Sequence, residues 1–187
     1  RFWHWYNFSI EDYGRVQVRV VGQTNWTTLP LGQYGEGSSG YYSSLRWTRP
    51  SLDLSAYAGQ QVELCFYFYS YNSYGGADVG PGWYIDEITV ETGQRVFHNP
   101  EDWETGIDDW YTDFGIWEVG TPSVVGPSGA HEGSQCAGTV LDGNYYDGMS
   151  SRLISAPFVI PESSANPRLR FWHWYNFSIE DYGRVQV

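Results

Sequence analysis

Lysine is absent from this chain: all ten basic residues are arginine, whereas aspartate and glutamate together number 22. The formal net charge is therefore −12. An acidic surface repels nucleic-acid phosphates and anionic lipids, so nucleic acid is excluded as an expected partner. The same composition favours calcium binding, or serves solubility alone, and both interpretations stay open at this point.

Long apolar runs are also missing. No run approaches the roughly 18 residues that a membrane-spanning segment needs, so direct membrane insertion is not expected. The chain does not begin with Met and carries neither a signal peptide nor an anchor motif, so we expect an internal or mature piece of a longer protein.

Cysteine occurs only at Cys65 and Cys136. Their spacing fits no zinc knuckle, CxxC motif or catalytic signature. They form either one disulfide, which would suit an extracellular protein, or two isolated thiols.

Catalytic motifs are lacking as well. The four histidines show neither HxH nor HExxH spacing, and His4 is expected to pack among aromatic residues of a sheet. The segment GPSGA at 126–130 has the letters of a nucleophile elbow without a following helix, and GGADVGPG at 75–82 lacks the lysine of a phosphate loop. The sequence therefore predicts a protein that is not an enzyme.

Aromatic residues, in contrast, make up 19% of the chain, and strand-length runs alternate between apolar and polar positions. The turn EDYG at 11–14 is predicted to join two such runs as a hairpin. No stretch shows sustained helical periodicity, so we predict an all-β fold, an antiparallel two-sheet sandwich of about nine or ten strands. The predicted strands are FWHWYNFSI, RVQVRVVG, QVELCFYFYS, GWYIDEITV and SRLISAPFVIP.

The most informative feature is an internal identity: residues 1–18 and residues 170–187 both read RFWHWYNFSIEDYGRVQV. Either a strand was duplicated at the terminus, or the chain is an out-of-phase window on a tandem repeat, which its start inside a strand-like run favours. On the second interpretation, 1–93 is the C-terminal half of one repeat, 94–100 the connection, and 101–187 the N-terminal half of the next.

The two halves are expected to close into one permuted sandwich, in which 1–18 and 170–187 compete for a single position. The displaced segment would then pair with a neighbouring copy of the repeat. Head-to-tail pairing of this kind yields a filament or fibre instead of a closed dimer.

The order of several motifs resembles a known group of domains. These motifs are WETGIDDW at 103–110, AHEGSQC at 130–136, DLSAYAGQ at 53–60 and GWYIDEI at 82–88. Together they resemble the secreted jelly-roll domains that include MAM domains, bacterial cleaved-adhesin domains and the C-terminal modules of M6-type metallopeptidases (choice-of-anchor J-like). The resemblance implies a jelly roll, an extracellular or cell-surface location, and a non-catalytic structural or adhesive role.

The resemblance also implies a structural Ca²⁺ near the chain ends of the domain. Its ligands would be Asp86, Glu104 and the loop formed by His131, Glu132 and Gly133. Glu132 departs from the usual pattern, in which a small polar residue is commoner. Six carboxylates between 101 and 113 make a cation reasonable on independent grounds, although solvated surface charges are the alternative.

Aromatic side chains leave a second function open, a carbohydrate-binding module. Trp3 and Trp5 lie either in the core or on a surface where sugars stack. Tyr71 and Tyr74 are expected to be exposed, because Gly and Asn mark a loop around them.

The sequons at Asn7, Asn25 and Asn176 would carry glycans only in a glycosylating secretory system.

Overall fold

The structure is a computed structural model that describes residues 1–36, 42–72, 79–123 and 125–187. These ranges contain no α-helix, which confirms the all-β prediction, and their only helical turns are the 3₁₀ turns at Ser55–Tyr57 and Ser163–Ala165. The described strands are β1 Trp3–Asn7, β2 Tyr13–Val20, β3 Thr27–Gly35, β4 Val62–Tyr69, β5 Gly82–Asp86, β6 Tyr111–Thr112, β7 Glu118–Gly120, β8 Cys136–Gly138 and β9 Leu153–Ile154.

Alternation along β1 and β2 sets which side chains reach the core. Phe2, His4 and Tyr6 are buried, whereas the intervening Trp3 and Trp5 are only half-buried. Successive residues of a strand point to opposite faces. The FWHWY segment therefore has one face in the core and one outer face, and Trp3 and Trp5 lie on the outer face. The expectation that His4 packs among aromatic rings is confirmed: its ring centroid lies 4.5 Å from that of Tyr34.

Every pairing between the described strands is antiparallel. β1 pairs with β5, and β2 is the central strand of a three-stranded sheet in the order β3-β2-β4. Two short ribbons, β6–β9 and β7–β8, lie in the second half of the chain.

The hairpin predicted at EDYG is wrong, because β1 and β2 belong to different sheets. The intervening residues instead carry the chain from one sheet to the other. Asp12, which is buried, supports this crossing by accepting a hydrogen bond from the Tyr71 backbone N–H at 2.8 Å. Turn residues alone could not distinguish a hairpin from a crossing, since both need a tight reversal of the chain.

An aromatic core joins the two sheets. The Phe2 ring lies 5.1 Å from the Phe66 ring of β4, and the Trp83 ring of β5 lies 5.8 Å from the Tyr34 ring of β3. Tyr6 and Tyr34 are fully buried in this core. Burying a large apolar side chain contributes roughly 1.5–3 kcal/mol, so this cluster stabilises the contact between the two sheets.

The second half of the chain completes the same core. Phe114 and Ile116 are both buried, and Phe114 belongs to the core cluster of the two sheets. At the start of β1, the Arg1 guanidinium donates to the carbonyls of Asp108 and Asp109 at 2.7 and 2.8 Å. Contacts between the two halves therefore fix β1 at both its inner face and its N-terminal end.

The second copy of the repeated segment has different surroundings. Residues 170–187 form no strand, and all of them are exposed. The Trp172 ring stacks on the His131 ring at 3.9 Å, and the Tyr145 hydroxyl accepts a hydrogen bond from the Ser178 N–H at 2.8 Å. The same sequence therefore forms two strands with a buried face at 1–18 and lies on the surface, without strands, at 170–187.

We expect Gly14→Ala to destabilise the protein by about 1–3 kcal/mol, because overpacking a filled core has a cost of this size. A Cβ at Gly14 would lie 2.7 Å from two ring atoms of Trp83. The matched control is Gly183→Ala, at the same position of the second copy, where a Cβ would approach only the tip of Phe177 at 3.3 Å. Urea unfolding of both variants measures the difference, and equal destabilisation would contradict the arrangement.

A second prediction concerns His4, because complete burial lowers its pKa from the ordinary 6.5 to about 3. The folded chain therefore holds neutral histidine where the unfolded chain binds a proton. This contribution to stability is complete above pH 6.5 and is lost as the pH falls toward 3, at up to about 1.4 kcal/mol per pH unit.

Urea unfolding between pH 7 and pH 4 tests this dependence. The fall in unfolding free energy should be shallower in His4→Gln than in the wild type, whereas His173→Gln, in the exposed copy, should keep the wild-type slope. Parallel pH profiles for the wild type and His4→Gln would refute the burial of a neutral imidazole.

Candidate functional site

The Glu104 carboxylate is held by Ser134 and Gln135, the two residues directly after the loop 131–133 that the resemblance paired with it. It accepts hydrogen bonds from the backbone N–H groups of Ser134 and Gln135 and from the Ser134 hydroxyl, each at 2.8 Å. The Gln135 N–H, followed by the Ser134 hydroxyl and N–H, lowers the pKa of Glu104 below its ordinary value. Gly133 permits this approach, because a Cβ there would lie 2.4 Å from Glu104 Oε1.

These contacts bear on the predicted calcium site. Calcium needs roughly six to eight oxygen ligands, whereas the groups that meet the Glu104 carboxylate are N–H and O–H donors. The residues present do not fit calcium in this geometry, and the calcium site stays a prediction from the resemblance. His131 and Glu132 are exposed, and the His131 ring is covered on one face by Trp172.

Asp86 lies in a different setting, at the end of β5 opposite Trp3 of β1. Its Oδ1 accepts a hydrogen bond from the Glu87 N–H at 2.8 Å. Among the residues that the structure describes, neither Asp86 nor Glu104 belongs to a group of three side chains spaced for a metal ion. The calcium site predicted from the resemblance would need Asp86 and Glu104 close together. The one described group of side chains with metal-ligand spacing contains neither of them.

One described cluster does have such spacing, formed by His98, Glu101 and Asp108. His98 Nδ1 lies 3.4 Å from Asp108 Oδ2, and Glu101 Oε2 accepts a hydrogen bond from the Trp110 indole at 2.8 Å. Asp108 also accepts from the Thr105 hydroxyl at 2.5 Å. These contacts explain the cluster without a metal, because each acid already has a partner within the chain.

The residues proposed to bind carbohydrate are only partly described. Tyr71 is exposed, as expected, whereas Tyr74 lies outside the described residues. On the outer face of the three-stranded sheet, the Tyr13 ring stacks on Tyr69 at 4.9 Å, and the Arg15 guanidinium lies 4.2 Å from the Tyr13 ring centroid. These rings stack within the protein, which reduces the aromatic surface they offer to a sugar.

The remaining candidate residues have separate locations. Cys65 on β4 and Cys136 on β8 are free cysteines, both half-buried, and burial raises the pKa of the Cys136 thiol. Asn25 and Asn176 are exposed, whereas Asn7 lies in β1 opposite Gly82.

A shallow, open depression that the sequence did not reveal lies on the outer side of β1. Trp3, Trp47, Asp86 and Glu87 line a pocket of about 240 Å³. Trp47 comes next to Thr48, which exchanges two backbone hydrogen bonds of 2.9 Å with His4. No motif marks Trp47, and only the pairing of its segment with β1 brings the two indoles together.

The helices of the described ranges are single 3₁₀ turns, and none of them is long and apolar enough to cross a membrane.

Glu104→Ala should loosen the loop that the carboxylate holds, because three donors lose their acceptor. Hydrogen exchange of the Ser134 and Gln135 amides is expected to accelerate severalfold, and Glu132→Ala, at an exposed neighbour, serves as the control. Because the pKa of Glu104 is lowered in the folded state, protection in the wild type should persist above that pKa and disappear as the pH falls through it. Unchanged exchange in Glu104→Ala would refute the bonding pattern.

Comparison with known proteins gives one partial similarity. A stretch of 91 residues is 34% identical to Bacillopeptidase F of Bacillus subtilis (strain 168) and covers 48% of this chain. The chain spans 6% of the length of that protein, so the similarity concerns a small part of it. No family model matches the chain. No solved structure matches it either.

Proposed function

We propose that this chain is a non-catalytic, extracellular structural repeat unit that pairs with neighbouring copies of itself through the 170–187 segment. The observation that carries the proposal is the contrast between the two identical segments. Tyr6 is 1% exposed, whereas Tyr175, at the same position of the second copy, is 63% exposed. A sequence suited to a buried position therefore lies on the surface.

The two segments have equal intrinsic ability to fill that position. Phe171, Tyr175 and Phe177 reproduce the alternating face that Phe2, Tyr6 and Phe8 bury in the core. Since each large apolar side chain gains roughly 1.5–3 kcal/mol on burial, the exposed copy has a strong tendency to dock wherever such a position is free.

A neighbouring copy offers this position whenever its own 1–18 segment leaves it. The contact joins the 170–187 segment of one copy to the place that 1–18 fills in another copy. The two partners thus use different surfaces, so the contact is heterologous and repeats along a line. A segment tethered to its acceptor gains a high effective concentration, which favours pairing between adjacent units of one array. The resemblance of the motif order to secreted jelly-roll domains supports proposing an extracellular location, and adhesion is the role such an array would serve.

Sedimentation velocity of the full chain over a wide concentration range tests the proposal. The wild type should form head-to-tail oligomers as concentration rises, visible as linear particles by electron microscopy. Tyr175→Asp should weaken association by more than about tenfold, because docking would bury a charge in an aromatic core.

The matched control is Ile179→Asp, which introduces the same charge into the same segment. Its counterpart Ile10 is exposed even in the docked copy, so Ile179→Asp should associate like the wild type. A wild type that stays monomeric at every concentration, or a Tyr175→Asp variant that associates normally, would overturn the proposal.

A further inference from the structure

The pocket beside β1 combines two aromatic walls with two carboxylates. Trp3 and Trp47 supply the indoles, and Asp86 and Glu87 supply the acids. Trp47 is 46% exposed, Trp3 is half-buried, and both acids are exposed, so all four side chains have solvent-accessible surface.

The strand geometry fixes these groups. Trp3 and Asp86 are directly opposite each other in the β1–β5 pair, which places their side chains on the same outer face. β5 ends at Asp86, and Glu87 follows with a φ of 47°, a left-handed conformation that is uncommon for a residue other than glycine. The chain therefore turns sharply at the point where the second carboxylate enters the pocket.

The charges around the pocket are unbalanced. Within the described residues, neither Asp86 nor Glu87 forms an ion pair. Arg1 and Arg49 both pair instead with Glu91, at 3.2 and 3.0 Å. The pocket is thus a negatively charged depression with aromatic walls.

We propose that this pocket binds an alkylammonium group, either a quaternary ammonium such as choline or a lysine side chain. Indole faces attract cations through the ring quadrupole, and unpaired carboxylates add a direct charge attraction. A lysine ligand would have to come from another protein, because this chain contains none. The inference is independent of the proposed pairing between copies.

An NMR titration of the full chain tests this site, following the indole N–H signals of Trp3 and Trp47. Choline and Nα-acetyl-lysine methylamide are the two cationic probes, and 3,3-dimethylbutan-1-ol is the uncharged isostere of choline. We expect choline to shift both signals, and the isostere to bind at least about fivefold more weakly, because only the cation gains from the ring quadrupole and the carboxylates.

Variants separate the contributions without disturbing the core. Asp86→Asn and Glu87→Gln alter exposed side chains, and each should weaken choline binding at least about threefold. Trp172→Phe is the matched control, since Trp172 is the exposed counterpart of Trp3 and lies outside the pocket; it should bind choline like the wild type.

The outcome with the two cationic probes identifies the source of the ligand. Tighter binding of choline supports a quaternary ammonium, and tighter binding of the lysine derivative supports a protein partner. Equal binding of the uncharged isostere, unchanged binding in both carboxylate variants, or no binding of either cation would overturn the proposal.

Discussion

The structure depends on burying one alternating face of the segment 1–18 between two sheets. Phe2 enters the core just before β1, His4 and Tyr6 enter it from β1, and Val16 and Val18 enter it from β2. Because 170–187 carries the same residues, the chain contains two candidates for a position that admits one. The excluded copy keeps its apolar face in water, and in the proposed pairing with another copy that unfavourable exposure would be the driving force.

Alternation in the sequence predicted much of the fold. The runs around β1, β2, β4 and β5 are strands, and along β1 and β2 the buried residues alternate with a period of two. Neither β4 nor β5 has a fully buried residue. The run SRLISAPFVIP was less informative, since only Leu153–Ile154 pairs with another strand there. Strand propensity describes how well a segment fits a sheet, and whether a partner edge is available depends on distant parts of the chain.

Candidate sites were predicted unevenly for the same reason. The resemblance placed Glu104 with the loop 131–133, whereas the Glu104 carboxylate accepts hydrogen bonds from the next two residues, Ser134 and Gln135. Motif order could not show that these residues present hydrogen-bond donors. Trp47 was not predicted at all, because its position beside Trp3 arises from backbone pairing between Thr48 and His4. Local patterns specify which residues are buried, whereas a surface site depends on which strands become neighbours.

The crossing at residues 8–12 has a kinetic consequence. Since β1 and β2 lie in different sheets, the repeated segment fastens the two layers together. Removing the segment would break strand pairings in both sheets and expose the aromatic core between them. A neighbouring copy could not dock until the whole segment has left, so partial release has a free-energy cost with no compensating contacts. Exchange between units should therefore be all-or-none and slow, and an assembled fibre would persist long after dilution below the concentration at which it formed.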